Sequence, residues 1–279
     1  MITFVPVGGL ANRMRAIDSA LRLAADCHTG LRIVWFKDHG LNCRFDELFQ
    51  PIEAAVPTEV KDAGLADLCL LDRPRRRNFH IPRLPQQILF GNRFYEEEVK
   101  RLQNAGFDFR SAVQSRKNSY IASFLHFYTG SNPGKKFEHF RPVADLQQQI
   151  DRFFSQIDGQ RPIGVHIRRT DHIDSIRNSP TEIFIEAMEQ ELRLVPETRF
   201  YLATDSDEEK ERLIRRFGNH ILCSGHTARR DSSDGIRDAL VEMYILAGCR
   251  KILGSQNSSY SETAAEIGNI TLQTIRKQG

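Results

Sequence analysis

Residues able to do chemistry gather at four points of the chain. The densest is His166-Ile167-Arg168-Arg169-Thr170-Asp171-His172-Ile173-Asp174. Two adjacent arginines are hard to place in a core, because a buried guanidinium needs a partner. At a ligand-bearing edge they form a fork for phosphate oxygens, which accounts for them better than a bare surface does. His166, Asp171, His172 and Asp174 are also metal-ligand types. No HExxH or similar helical spacing joins them, and paired arginines disfavour a divalent cation, so no metal is expected. The second point is Gly8-Gly9-Leu10-Ala11-Asn12-Arg13. Its glycines let backbone N–H groups approach a ligand, yet it is not GxGxxG, and a plain tight turn fits equally well. The third and fourth are Ala203-Thr204-Asp205-Ser206 and Gly254-Ser255-Gln256-Asn257-Ser258-Ser259-Tyr260-Ser261. Such hydroxyls cap a helix, and together with its first N–H groups they also cradle an anion. Glu242, one turn from Asp238, reads as part of a solvated face unless its helix points its start at a ligand.

Ligands of open parallel sheets bind beyond the carboxyl ends of the strands, and all four points follow apolar runs of strand length. Residues 2–7 form the first run. An amphipathic stretch follows through Leu10, Met14, Ile17, Leu21 and Ala24, then a second run over 31–36, so the start reads β-α-β with a right-handed crossover. The middle is less regular. Pro74, Pro82 and Pro85 predict a loop over 72–90, residues 92–103 look helical, and 119–124 look like a strand. A helix over 144–157, with Leu146, Ile150, Phe153 and Phe154 on one side, is stopped by Asp158-Gly159 and marks a hinge. Beyond it, strands at 162–167, 200–203, 220–223 and 251–254 alternate with helices at 179–194, 205–217, 233–247 and 258–267. Pro180 stands near the first position of the first of these helices. The expected fold is α/β in two domains, 1–157 and 158–279, the second a Rossmann-like unit.

Composition narrows the class. The 279 residues are 40% apolar and 27% charged, with 18 Gly and 11 Pro. That balance excludes disordered, collagen-like and low-complexity chains. No uncharged apolar run approaches the ~20 residues of a membrane-spanning helix, and the first residues do not read as a signal peptide. Five scattered cysteines form no CxxC pair, which points to a reducing, cytoplasmic setting. The net charge of +3 is uneven: residues 1–155 carry 22 Lys and Arg against 17 Asp and Glu. This is too mild for nucleic-acid binding. The one dense patch is Arg73, Arg75, Arg76 and Arg77. A solvated loop explains it first, and an anionic ligand or a weak peripheral contact with the inner membrane face is the alternative.

Taken in order, GGLANRM at 8–14, GVHIRRTD at 164–171, YLATDS at 201–206 and EMYILAGCRKILGSQNSSYS at 242–261 resemble the fucosyltransferase superfamily. That group includes bacterial nodulation α1,6-fucosyltransferases, α1,2-fucosyltransferases and protein O-fucosyltransferases. The RRTD and ATD segments look most like the α1,6 branch. GGLxNxM, the EMYIL helix and NSSYS look equally like the α1,2 branch. The resemblance covers most of the C-terminal half and the first ~30 residues of the chain. It implies a GT-B fold, two Rossmann-like domains facing across a cleft, and inverting, metal-independent transfer of fucose from GDP-fucose to a glycan or glycolipid hydroxyl. Another GDP-sugar as donor, or a non-catalytic nucleotide-sugar binder, are the alternative readings. By residue, Arg168 would bind the β-phosphate and stabilise departing GDP, with Arg169 supporting its loop. His166 and Glu242 would line the guanosine pocket together with Asp205, Ser258 and Ser259 would meet the diphosphate, and Gly9 and Asn12 would approach from the other domain.

One departure concerns the catalytic base. The α1,6 branch places a Glu a few residues after RRTD, whereas Ile173-Asp174-Ser175-Ile176-Arg177 stand here. Asp174 is the nearest substitute and Asp171, inside the motif, the alternative. A base must reach the acceptor hydroxyl with a suitable pKa. The two assignments separate in the variants Asp174→Asn and Asp171→Asn: the base's variant is expected to lose turnover and the acid limb of the pH–rate profile. Wild-type turnover and profile in Asp174→Asn would remove Asp174.

Overall fold

The computed structural model describes residues 1–38, 40–71, 83–131, 134–157, 161–169, 173–224 and 232–277, with the backbone alone for 173–175. Contacts divide the chain into two units, Met1–Val143 and Ala144–Gly279.

In the first unit, β1 (Ile2–Pro6) leads into α1 (Leu10–Asp26) and β2 (Leu31–Trp35). Then come β3 (Thr58–Asp62), α2 (Leu65–Leu70), α3 (Arg83–Leu89), β4 (Asn92–Phe94), α4 (Glu96–Asn104), α5 (Phe109–Gln114) and β5 (Ser119–Ser123). The strands form one parallel sheet in the order β3-β2-β1-β5-β4. Central β1 and β5 are buried along their whole length. This is why they read as unbroken apolar or small-residue runs rather than alternating ones. Two expectations for the middle are corrected. Residues 83–89 are helical despite Pro85, because a proline in the first turn lacks an N–H that would have no partner there anyway. Residues 92–94 are a strand, not the start of a helix. Asn92 donates from Nδ2 to the Ala112 carbonyl at 2.5 Å and Phe94 packs edge-on against Phe107 and Phe109, so the helix begins only at Glu96.

The second unit opens with α6 (Ala144–Ser155), followed by β6 (Ile163–Ile167), α7 (Ile173–Asn178) and α8 (Thr181–Leu194). Next are β7 (Phe200–Thr204), α9 (Asp207–Phe217), β8 (Ile221–Leu222), α10 (Ser233–Ala247), β9 (Ile252–Ser255), α11 (Ser259–Gly268) and β10 (Leu272–Ile275). Its sheet is also parallel, in the order β10-β9-β6-β7-β8. Five strands therefore stand where the sequence pattern predicts four. The added β10 is a partly exposed edge strand whose Gln and Thr break the apolar run. The sequence places the 144–157 helix at the end of the first domain; the contacts place α6 with the second unit. Phe153 of α6 meets the Tyr201 ring edge-on at 4.9 Å, and Phe154 lies where a Cβ on Gly248 would fall, 2.2 Å from its Cζ. Asp158-Gly159, expected to stop this helix, lie outside the described residues.

A core of Ile163, Val165, Ile167, Phe184, Met188, Phe200, Leu202 and Leu253 fills one side of this sheet. On the other side α10 and α11 pack so closely that a Cβ on Gly268 would lie 2.0 Å from the Ala247 carbonyl oxygen. Backbone cannot yield there as a flexible side chain can. Gly268→Ala is therefore expected to destabilise the protein by about 2–3 kcal/mol in urea denaturation; a loss under ~0.5 kcal/mol would contradict this packing.

Candidate functional site

The order β10-β9-β6-β7-β8 makes β6 the point where the chain reverses direction across the sheet. The connection from β6 leads to β7 on one side, and the chain later returns to place β9 on the other. A crevice opens at such a switch, outside the carboxyl ends of the two strands. His166 and Gly254 are register partners there. The Arg168 N–H donates to Ser255 Oγ at 3.2 Å, and Ser255 Oγ donates to the His166 carbonyl at 3.4 Å, tying the two strand ends together.

His166 is buried, and its Nδ1 lies 2.7 Å from Ser261 Oγ and 3.4 Å from Ser258 Oγ. Its ring stands 4.7 Å from the ring of Tyr260, whose hydroxyl donates to the Ala239 carbonyl of α10. Ser258 holds the N-cap position of α11 but makes no side-chain capping bond, so its hydroxyl faces the histidine instead of closing the helix. Ser259 is half-buried in the first turn. Gly254 allows the arrangement: a Cβ there would lie 2.8 Å from Ser261 Oγ.

The two arginines part ways. Arg168 is half-buried at the strand end. Arg169 is fixed by protein on every side. Its Nε lies 3.3 Å from Glu209 Oε1, its Nη1 donates to the Arg168 carbonyl at 2.9 Å, and its Nη2 donates to Thr181 Oγ1 at 2.7 Å. Its backbone N–H donates to Asp205 Oδ1 at 2.6 Å. The expected helix start at Asp205 is thus displaced: Ser206 caps α9 through the Glu209 N–H, and Asp205 serves the β6 edge.

Glu242 corrects the solvated-face reading, since it is buried in α10. Ser224 Oγ donates to its Oε1 at 2.7 Å, and Lys210 Nζ donates to the Ser224 carbonyl at 2.5 Å. Burial pushes its carboxyl up to about 7, against the opposing pull of the Ser224 hydrogen bond and the Lys210 charge. Tyr201 is raised as well, by burial first and by the Glu242 charge second, and its hydroxyl has no hydrogen-bond partner among the described residues. Ser224 follows β8, so this polar pair belongs to the same carboxyl edge as His166 and Asp205.

Gly9 and Asn12 belong to the first unit, Gly9 at the N-cap position of α1 and Asn12 half-buried in its first turn. The residue that organises this turn is Arg13, fully buried in α1. Its Nε donates to the Gly8 carbonyl at 2.8 Å, its Nη1 to the Phe36 carbonyl at 2.6 Å, and its Nη2 lies 3.0 Å from Asp38 Oδ1. The guanidinium sits 4.6 Å from the Trp35 ring centre. Gly8, at φ 89°, occupies the left-handed region that favours glycine.

Asp171 lies outside the described residues, and Asp174 falls in α7, where the backbone alone is described. Among the described residues no group of three or more His, Cys, Asp and Glu could hold a metal ion, and no helix is long and apolar enough to cross a membrane. Sequence reasoning assigned no role to Arg13, Ser224, Tyr260 or Ser261. For Ser261 the signal was present, because a three-residue step from Ser258 puts both hydroxyls on one helix face.

No protein-family model and no curated protein matches the chain. Solved structures do. NodZ α1,6-fucosyltransferase soaked with GDP-fucose superposes with a TM-score of 0.63 at 17% identity, over 95% of this chain and 92% of that one. The Bradyrhizobium NodZ fucosyltransferase gives 0.64 at 17%, over 94% and 92%. Arabidopsis thaliana FUT1 in complex with GDP gives 0.63 at 13%, over 100% and 70%, and POFUT1 in complex with GDP gives 0.53 at 12%, over 98% and 97%.

The raised carboxyl of Glu242 has a consequence for stability. Between its ordinary value of 4.5 and about 7 the folded protein holds a proton that the unfolded chain has released. Stability attributable to this group is therefore full below pH ~4.5 and falls as pH rises towards 7, by an amount on the order of 3 kcal/mol. Glu242→Gln is expected to remove this part of the slope in urea titrations across that range. Parallel wild-type and variant curves would show that the carboxyl is not held in this way. In fold, the chain is an α/β protein of two parallel five-stranded sheets, the GT-B architecture of these fucosyltransferases.

Proposed function

We propose that the chain is a GDP-sugar-dependent glycosyltransferase, with GDP-fucose as donor and a glycan or glycolipid hydroxyl as acceptor. The observation that carries this reading is the convergence at the β6 switch point. His166, the Arg168 strand end, Asp205 and the N-terminal serines of α11 meet where a nucleotide diphosphate binds in such sheets. Likeness to proteins studied with GDP and GDP-fucose supports the choice of nucleotide and sugar.

In this reading residues 144–279 hold the donor and residues 1–143 read the acceptor. The acceptor hydroxyl attacks the anomeric carbon of fucose, the bond to the β-phosphate oxygen breaks with its electron pair going to GDP, and the configuration inverts. The hydroxyl proton passes to Asp174 or Asp171. Positive charge grows on the sugar and negative charge on the leaving diphosphate, so an arginine aimed at that phosphate acts mainly in the transition state. Arg169, Asp205 and Ser255 position the backbone from which Arg168 extends. Ser258 and Ser259 offer hydroxyls and the first N–H groups of α11 to the diphosphate. Glu242, ionised, accepts from the paired N–H groups that guanine presents. The reaction uses no metal. A non-catalytic binder is the second reading, favoured by the missing Glu after RRTD.

Thermal shift at pH 8, where Glu242 is ionised, tests the nucleotide. GDP at 100 times its Kd is expected to add ~2.7 kcal/mol, with UDP and ADP doing far less and EDTA nothing. Equal response to the three nucleotides would remove the guanine assignment. With GDP-fucose as substrate, Arg168→Ala is expected to lower kcat by roughly 100-fold or more; near-normal turnover would sink its role, and absence of turnover in the wild-type protein with every supplied acceptor and water would favour the binder.

A further inference from the structure

The joint between α7 and α8 carries two buried hydroxyls, Ser179 at 0% and Thr181 at 3% exposure. A hydroxyl has one proton to donate and lone pairs to accept with, and Ser179 uses both. Its Oγ donates to the Ile275 carbonyl of β10 at 2.6 Å and accepts from the Gln256 N–H at 2.9 Å. Gln256 directly follows β9 and stands two residues before Ser258. Thr181 Oγ1 accepts from Arg169 Nη2 at 2.7 Å, and Arg169 Nη1 donates in turn to the Arg168 carbonyl at 2.9 Å. Between the two hydroxyls stands Pro180, whose ring holds φ at −64°. The joint is fastened from outside as well, because the Lys277 N–H donates to the Asn178 carbonyl at 2.8 Å.

These bonds close a triangle. The exit of β6 is tied to the exit of β9 by the Arg168 N–H and Ser255 Oγ. The exit of β9 is tied to the joint through Ser179, and the joint to the exit of β6 through Thr181 and Arg169. Three segments bound pairwise cannot shift one at a time, and two of them are the walls of the switch-point crevice. We propose that Ser179 and Thr181 are positioning residues for the donor's diphosphate, setting the separation between the Arg168 strand end and the serines that open α11. The inference rests on the donor site proposed above. Neither hydroxyl meets the ligand. Each acts through backbone and through Arg169, in the manner of groups that hold a binding side chain in place from behind. Edge strand β10 and Lys277 thereby bear on a site they do not line.

Titration calorimetry of the full chain with GDP and GMP tests it. The two nucleotides share guanosine and the first phosphate, so their affinity ratio reads the site beyond that phosphate. The wild-type protein is expected to prefer GDP. Ser179→Ala, and Thr181→Val of nearly unchanged shape, should each weaken GDP about tenfold and leave GMP within about twofold. Thr181→Ser, which keeps the oxygen that Arg169 needs, should rescue the ratio. Urea denaturation reads stability separately, and Thr181→Val carries the test if Ser179→Ala does not fold. Variants that lose stability but keep the wild-type GDP-to-GMP ratio would overturn the proposal and leave the donor site standing. A wild-type protein that binds GDP no better than GMP would overturn the donor site and this inference with it.

Discussion

How closely α11 can approach the sheet is the constraint on which the second unit depends. Two glycines set it. Gly254 leaves room on β9 for Ser261, and Gly268 leaves room against the backbone of α10 at Ala247. With α11 held at that distance, the Ser258 and Ser261 hydroxyls reach His166 on the neighbouring strand, and Tyr260 bridges from the histidine ring to α10. Gly164 does the same for α10, since a Cβ there would lie 2.7 Å from Leu246 Cδ2. Helix α10 in turn carries Glu242 to Ser224 beyond β8. The polar edge is thus a product of packing on the apolar faces beneath it.

The first unit reaches a comparable end by another route. There a buried charge, not a close approach, ties the strand ends together. Arg13 reaches from α1 to the carbonyls that follow β1 and β2 and to Asp38. A buried guanidinium without these partners would carry a large desolvation cost. Its presence therefore fixes the geometry of the Gly8-Gly9 turn and with it the position of Asn12 on the first turn of α1.

What the sequence made legible follows the burial of each strand. β1, β2, β6 and β7 are buried along most or all of their length, so their apolar runs stand out without alternation. Edge strands β3 (TEVKD) and β10 (LQTI) are half open to solvent and read as nothing in particular. The ends of β6, β7 and β9 were legible for the same reason as the strands, which brought His166, Arg168, Asp205 and Ser258 into view together. Arg13 and Glu242 were harder, because a charged residue in an amphipathic helix is read as solvent-facing unless its partner is known. Those partners, Asp38 and Ser224, lie 25 and 18 positions away in the sequence, and only the folded chain brings them into contact.

Arg169 shows how order at this edge is arranged in time. A long, flexible side chain loses much rotational freedom when it is immobilised. Here Glu209, Thr181 and the Arg168 carbonyl hold it already. The entropy lost in fixing this stretch of backbone is accordingly charged to folding, and the donor proposed to bind at Arg168 would meet a strand end with little left to freeze.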